Sequence, residues 1–361
     1  GSGHIPDAVN AIKYGATDFI EKPIAKEHLL IRLSRLSESL RIQRDLREVQ
    51  VSAIGMIGNS KIMQDVYDSI IRAARFDTPV LITGETGVGK ELAAAAIHRL
   101  SSRNQKNLVS INCASIPHEL FEAELFGYEK GAFTDAQSSR TGYFEFAQDS
   151  SLLLDEIGEL PAQVQAKLLR VISENEIQKL GGKIHWINTR LISATNQDLK
   201  QMVEDHAFRS DLFYRISTVS IHIPALREHR EDIIPLTEHF VNDFCTQNRI
   251  APKALSPNAA AWLVEQDYPG NVRELKNLVE RAVVFCQTDM LNVVDFTTNE
   301  HYLSEEGRSF RETMHAFEKQ YLESVLRLHD GNLSQSAHYL QMDKSNLSKK
   351  LCALGITSMH K

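Results

Sequence analysis

The chain has 361 residues, 42% hydrophobic and 24% charged, with a formal net charge of −7. That length allows two or three domains with a well-buried core, while 18 glycines and 10 prolines are too few for collagen-like repeats or long disorder. A polybasic coat, a membrane span of ~18 apolar residues and a zinc or disulfide framework built from the dispersed Cys113, Cys245, Cys286 and Cys352 are all excluded, so a soluble, cytoplasmic, multidomain protein is expected.

In chain order, Gly1-Ser2-Gly3 reads as the scar of a cleaved tag on a truncated chain. Ile5–Tyr14 is a short amphipathic stretch and Ala16–Ile20 a strand. Lys22-Pro23 turns into a helix with Leu29, Leu33, Leu36 and Leu40 on one face. Residues 1–38 are therefore the tail of an α/β domain, too small to fold alone. At Ile42, Leu46 and Val49 the apolar phase slips, which predicts a helical linker over 39–54, with a short coiled coil as the alternative. From 55 to 223, strands at Val80–Thr83, Val109–Asn112, Leu152–Asp155 and Leu191–Ala194 alternate with helical patterns. Such alternation predicts a parallel sheet covered by helices on both faces. Residues 224–297 read as a helical subdomain, clearest at Ala259–Glu265 and Val272–Phe285. Residues 298–361 are all helical, opening with an apolar stripe at Phe310, Met314, Phe317, Tyr321, Val325 and Leu328 that reads as core.

Two segments carry chemistry. Gly84-Glu85-Thr86-Gly87-Val88-Gly89-Lys90 follows a strand and precedes a helix starting near Lys90. Glycines there let backbone N–H groups wrap phosphate oxygens, the helix N-terminus adds a favourable field, and Lys90 reaches the β and γ phosphates. Glu91 stands where a magnesium-binding Ser or Thr is usual. The apolar strand that ends in Asp155-Glu156 supplies the second half. Asp155 is placed to hold Mg2+, directly or through water, and Glu156 to polarise the water attacking a γ-phosphate.

With these motifs on the page, the chain resembles the NtrC family of bacterial enhancer-binding proteins, AAA+ ATPases that activate sigma-54 RNA polymerase. Besides the phosphate loop, whose Glu91 is the family's own form, the matches are Glu124–Gly127, Gly131–Ala136, Leu154–Gly158, Phe208–Arg215 and Tyr268–Asn277. The resemblance runs almost continuously from Gly55 to the C-terminus. It implies an α/β AAA+ P-loop domain with a helical subdomain, followed by an all-α Fis-type helix-turn-helix domain, with ATP and Mg2+ as cofactors. Asn112 matches the switch residue that restrains the catalytic Glu, although an Asn capping a strand end is the plainer reading. Asn196 looks like sensor I. Arg209 and Arg215 match paired arginine fingers acting on a neighbouring subunit, which implies a hexameric ring as the active form. Local pairing of Arg209 with Asp211 or Glu204 is the simpler alternative. Arg273 fits sensor II, against an ordinary ion pair with Glu274.

The family's sigma-54-contacting loop corresponds to Gly131-Ala132-Phe133-Thr134-Asp135-Ala136, with Asp135 in place of the usual Gly. Phe133 is the exposed aromatic of that loop. Gly331–Leu340 and Asp343–Leu351 read as helix, turn, helix. Asp343 is the N-cap, Leu347, Leu351 and Leu354 face the core, and Lys344, Ser345, Asn346, Ser348 and Lys349 face outward toward DNA. The resemblance makes this module a dimeric reader of double-stranded DNA at upstream enhancer sites, with the Phe310–Leu328 helices at the dimer interface. Gly15–Pro23 resembles the end of a response-regulator receiver, with Lys22 its phosphate-sensing lysine and a sensor histidine kinase as partner of the parental protein. The expected function is an ATP-driven activator that remodels the closed complex of the sigma-54 RNA polymerase holoenzyme. A DNA-binding regulator that uses ATP only as a conformational ligand, without sigma-54 activation, is the rival, favoured by Asp135.

Overall fold

The computed structural model describes residues 49–132, 138–297, 332–340 and 342–354, together with isolated positions elsewhere. Apart from those positions, the expected receiver tail, the start of the linker and the Phe310–Leu328 stripe lie outside the described residues. The chain divides into two compact units, Gly1–Met290 and Leu291–Lys361; the sequence reading puts that division at 297.

In the first unit, Ser60 caps helix α1 (Lys61–Ala74), its side chain accepting from the Met63 amide. Met63, Val66, Tyr67, Ile70 and Ile71 recur at steps of one, three and four and form the buried face of α1. Strand β1 (Val80–Thr83) runs into the glycine loop and then helix α2 (Lys90–Arg99), and β2 (Val109–Asn112) follows. Two short strands, β3 (Gly127–Tyr128) and β4 (Arg140–Thr141), pair antiparallel at the root of the 131–136 loop. β5 (Ser151–Asp155) leads to helix α3 (Ala162–Glu174), and β6 (Glu176–Gln178) pairs with β7 (Ile184–Trp186) in a hairpin. β8 (Arg190–Thr195), helix α4 (Ser210–Ile216) and β9 (Val219–His222) complete the α/β part.

The main sheet has the order β2-β5-β8-β1-β9, and every pairing is parallel. Side chains alternate across it. Leu81, Leu152, Leu154 and Leu191 join one apolar cluster with Phe121, Phe126, Leu168 and Leu212. Val80, Ile82, Leu153 and Ile192 join the other with α1 and α2. Both faces are thus covered, as expected of a parallel sheet. The fifth strand, β9, is absent from the sequence reading. It lies at the sheet edge and buries only Ile221, the same pattern that β2 shows at the opposite edge with Ile111.

The hairpin is fastened to the root of the 131–136 loop by main-chain bonds. Leu180 N donates to Gly127 O and Glu129 N donates to Leu180 O, each at 3.0 Å. Ile187 N, beyond β7, donates to Asn175 O at the end of α3 at 2.8 Å.

Beyond Pro224 lie helices α5 (Ile233–Asn248), α6 (Pro257–Glu265) and α7 (Asn271–Phe285), the last two close to the expected ranges. Fully buried Asp232 ties this lid to the head of α1. It accepts from Asn59 N, Ser60 N and Ser60 Oγ, and pairs with His229 Nδ1 at 3.0 Å.

In the second unit, α8 (Leu333–Tyr339) and α9 (Lys344–Ala353) form the helix-turn-helix. Leu347 and Leu351 are buried against Leu322, Leu326 and Ala337, with Leu333, Leu340 and Leu354 half-buried around them. Asn332 caps α8, its side-chain oxygen accepting from Ser334 N and Gln335 N. Asp343 heads α9, its carbonyl accepting from Asn346 N and Leu347 N.

Candidate nucleotide site and DNA-reading surface

The phosphate loop occupies residues 84–90 at the C-terminal end of β1, the crevice where parallel α/β sheets bind ligands. Gly87 has φ +82°, and a Cβ there would lie 2.2 Å from Gly270 O, so no other residue fits without displacing the lid. Gly89, also left-handed, heads α2, and Val88 is buried beneath the loop. Lys90 is only 7% exposed. Its Nζ donates to Gly84 O at 3.0 Å and Glu85 O at 3.2 Å, and lies 3.7 Å from Glu156 Oε1. Glu91 is exposed on the first turn of α2.

At the end of β5 the chain swings into left-handed backbone at Glu156, φ +52°, an uncommon conformation for a side chain of this size. The turn aims its carboxylate at the loop. Oε2 accepts from Asn196 N at 3.1 Å, and Asn196 Nδ2 donates to Thr86 Oγ1 at 2.9 Å. Lys90, Glu156, Asn196 and Thr86 thus meet from three separate segments.

Asp155 is 7% exposed, and its Oδ1 is buried without a hydrogen-bond partner. Burial, then the neighbouring Glu156 and Glu91 charges, raise its pKa above the ordinary carboxylate range. A buried oxygen crowded by like charge is the donor a hard divalent cation would relieve, so Mg2+ fits these residues. Asn112 Nδ2 donates to Asp155 Oδ2 at 3.5 Å, while its Oδ1 accepts from Ala114 N. Both its contacts lie on Asp155 and its own strand end, and the expected restraint on Glu156 is not formed in this structure. The reason is reach: β2 and β5 pair with Asn112 directly opposite Asp155, one residue short of Glu156.

Arg209 and Arg215 are both exposed. Arg209 makes a two-pronged pair with Asp211, at 3.0 and 2.7 Å, the local alternative raised above; Glu204 takes no part in it. Arg215 donates to Ile172 O at 3.2 Å. Arg273 N donates to Gly87 O at 3.2 Å, which puts the expected sensor II residue at the loop. Glu274 spends its carboxylate on Gly270 N rather than on Arg273.

Two lid residues missing from the sequence reading also reach the loop. Asn271, fully buried, donates from Nδ2 to Glu85 Oε2 and Thr86 O, each at 3.0 Å, and accepts from Leu226 N at 2.9 Å. Arg227 donates to both Glu85 carboxylate oxygens. Together, Arg227 first and Asn271 second, they hold the Glu85 carboxyl down to about 2. Asn271 falls inside the matched Tyr268–Asn277 motif, the one signal that points to it.

With this geometry in view, three family models match in succession. The Sigma-54 interaction domain covers 56–222, the AAA+ ATPase lid domain 227–323, and the Bacterial regulatory protein, Fis family, 313–354. The regulatory protein AtoC of Escherichia coli strain K12 is 37% identical over 98% of this chain and 80% of its own length. The chain belongs to the NtrC family of sigma-54-dependent regulators. The transcriptional regulatory protein ZraR of the same strain is 43% identical over 80% of this chain and 66% of its own. A crystal structure of NtrX from Brucella abortus in complex with ATP superposes with a TM-score of 0.63 at 35% identity, covering 98% of this chain and 81% of that one. As a family member the chain carries an AAA+ domain, which implies ATPase activity, and a Fis-type DNA-binding module.

Of the loop expected to contact sigma-54, Gly131 and Ala132 are described, Gly131 left-handed at φ +84°; Phe133, Thr134, Asp135 and Ala136 lie outside the described residues. On α9, Lys344, Ser345, Asn346, Ser348 and Lys349 are all exposed, with Ser345, Asn346 and Lys349 on the side away from buried Leu347 and Leu351. Among the described residues no helix is long and apolar enough to cross a membrane.

Proposed function

We propose that this regulator hydrolyses ATP with Mg2+ in a ring of subunits and uses the cycle to remodel sigma-54 RNA polymerase closed complexes, tethered by its helix-turn-helix at upstream DNA. The observation that carries the reading is the meeting of Lys90, Glu156 and Asn196 at a glycine loop beside a buried, unpartnered Asp155 oxygen. Loop amides and Lys90 bind the phosphates, and Glu156 takes the proton of the attacking water. Asp155 holds Mg2+, which when bound neutralises charge on the phosphate oxygens. Asn196, bonded both to Glu156 and through its side chain to Thr86, keeps that carboxylate oriented toward the loop.

Arg209 and Arg215 stabilise transferring charge in a neighbouring subunit. Their exposure, Arg209 at the N-cap of α4 and Arg215 in its last turn, supports this, and Arg209 leaves Asp211 to do it. The 131–136 loop delivers the motion to sigma-54, and Lys344, Asn346 and Lys349 on α9 read DNA in the major groove.

The test compares wild type with Glu156→Gln on a closed promoter with sigma-54 polymerase. The variant is expected to bind ATP, to hydrolyse it at least about tenfold more slowly, and to form no open complex. Undiminished turnover would remove Glu156 from the base role. Wild type that binds ATP and upstream DNA yet opens no sigma-54 promoter would favour the rival in which ATP is only a conformational ligand.

A further inference from the structure

A carboxylate on a phosphate-binding loop is out of place. The loop gathers donors for anionic oxygens, and Glu85 at its second position brings negative charge to the same spot. In this structure both Glu85 oxygens are drawn off to the lid, to the Arg227 guanidinium and the Asn271 amide. Asn271 also takes Thr86 O and Leu226 N, so one buried side chain joins the loop, the first turn of the lid and the head of α7. The next residue, Gly87, gives its carbonyl to Arg273 N and leaves no room for a Cβ against Gly270 O. Three successive loop residues are therefore bound to the lid, while Lys90 and the Thr86 hydroxyl face Glu156 and Asn196.

We propose that Glu85 is a positioning residue: with Arg227 and Asn271 it forms a latch that seats the lid segment carrying Arg273 on the phosphate loop, so that loop and lid move together. The inference rests on the nucleotide reading above and adds how occupancy of the loop is passed to the lid.

A carboxylate that merely survives near the phosphates, screened by Arg227, and one that works as a latch give opposite signs on removal. Without Glu85 the first case gains ATP affinity, because a like charge has gone; the latch case loses it, because the lid is released. Glu85 and Arg227 are both well exposed, so truncating either leaves the core intact.

The experiment uses the full chain as wild type, Glu85→Ala, Arg227→Ala, the double variant and Lys90→Ala. Hydrogen–deuterium exchange is followed at the Arg273 amide without nucleotide, and fluorescent ATP and ADP analogues are titrated. Each single substitution is expected to speed exchange at Arg273 and to weaken both nucleotides on the order of fivefold. The double variant should be no worse than the weaker single. Tighter ATP binding by Glu85→Ala, or unchanged exchange at Arg273 in both singles, would overturn the latch. Wild type that binds neither analogue better than Lys90→Ala would remove the nucleotide reading, while exchange at Arg273 would still decide the latch.

Discussion

Asp155 concentrates the electrostatic strain of the site. Its folded pKa lies above the ordinary value, so its ionised form costs stability once pH rises past that value, and protonation at lower pH removes the cost. A neutral isostere should remove the same cost at neutral pH. Asp155→Asn is accordingly expected to raise the Tm of nucleotide-free protein by about 2 °C while abolishing the Mg2+ dependence of nucleotide turnover; calorimetry and a metal titration check the two parts. Next to Asn112, Cys113 is buried, and its thiol is pushed up to about 12 by burial and the nearby Asp155, Glu156 and Glu159 charges. It should stay unalkylated by iodoacetamide at pH 8 in the native protein, which mass spectrometry reads directly. The residues legible in the sequence are those whose chemistry is local. Gly84–Lys90 and Asp155-Glu156 each announce themselves within a short run. The Arg227 and Asn271 contacts to Glu85 cross more than a hundred residues of chain, and no spacing rule brings such partners together.

Among the elements, the glycine loop and the cap of α8 make the sharpest expectations. Gly87→Ala would force a Cβ into Gly270 O from a left-handed backbone. It should cost at least about 2 kcal/mol and loosen the lid, seen as a lower Tm with faster exchange over 270–275. Asn332→Ala removes the side-chain oxygen that takes two α8 amides. Its cost of about 1 kcal/mol should appear as weaker DNA binding with the ATPase rate unchanged. The three inner strands of the main sheet, β1, β5 and β8, follow from their apolar runs, because buried parallel strands are apolar nearly throughout. The edge strands β2 and β9 each bury a single side chain and give a weaker signal, of which only β2 is picked up, and the β3–β4 and β6–β7 hairpins escape because two or three residues carry no period.

On the scale of the whole molecule, the expectation concerns subunits in company. If Arg215 serves a neighbouring site, Arg215→Ala mixed with Lys90→Ala should recover ATPase activity that neither has alone, since some seams then pair an intact loop with an intact arginine. Steady-state rates across mixing ratios would show a maximum near equal parts, and a flat line at background would argue for action within one chain. If Arg209 serves that site too, it must first leave Asp211, exchanging one anionic partner for another.

The bonds at Leu180 have a mechanical consequence. They splice the foot of the 131–136 loop to the hairpin through peptide groups, and Ile187 passes that splice on to the end of α3. A load on the loop tip therefore leaves along a main-chain truss. Altering hairpin side chains would leave those bonds in place, whereas a proline at Leu180 would remove the one donated to Gly127 O.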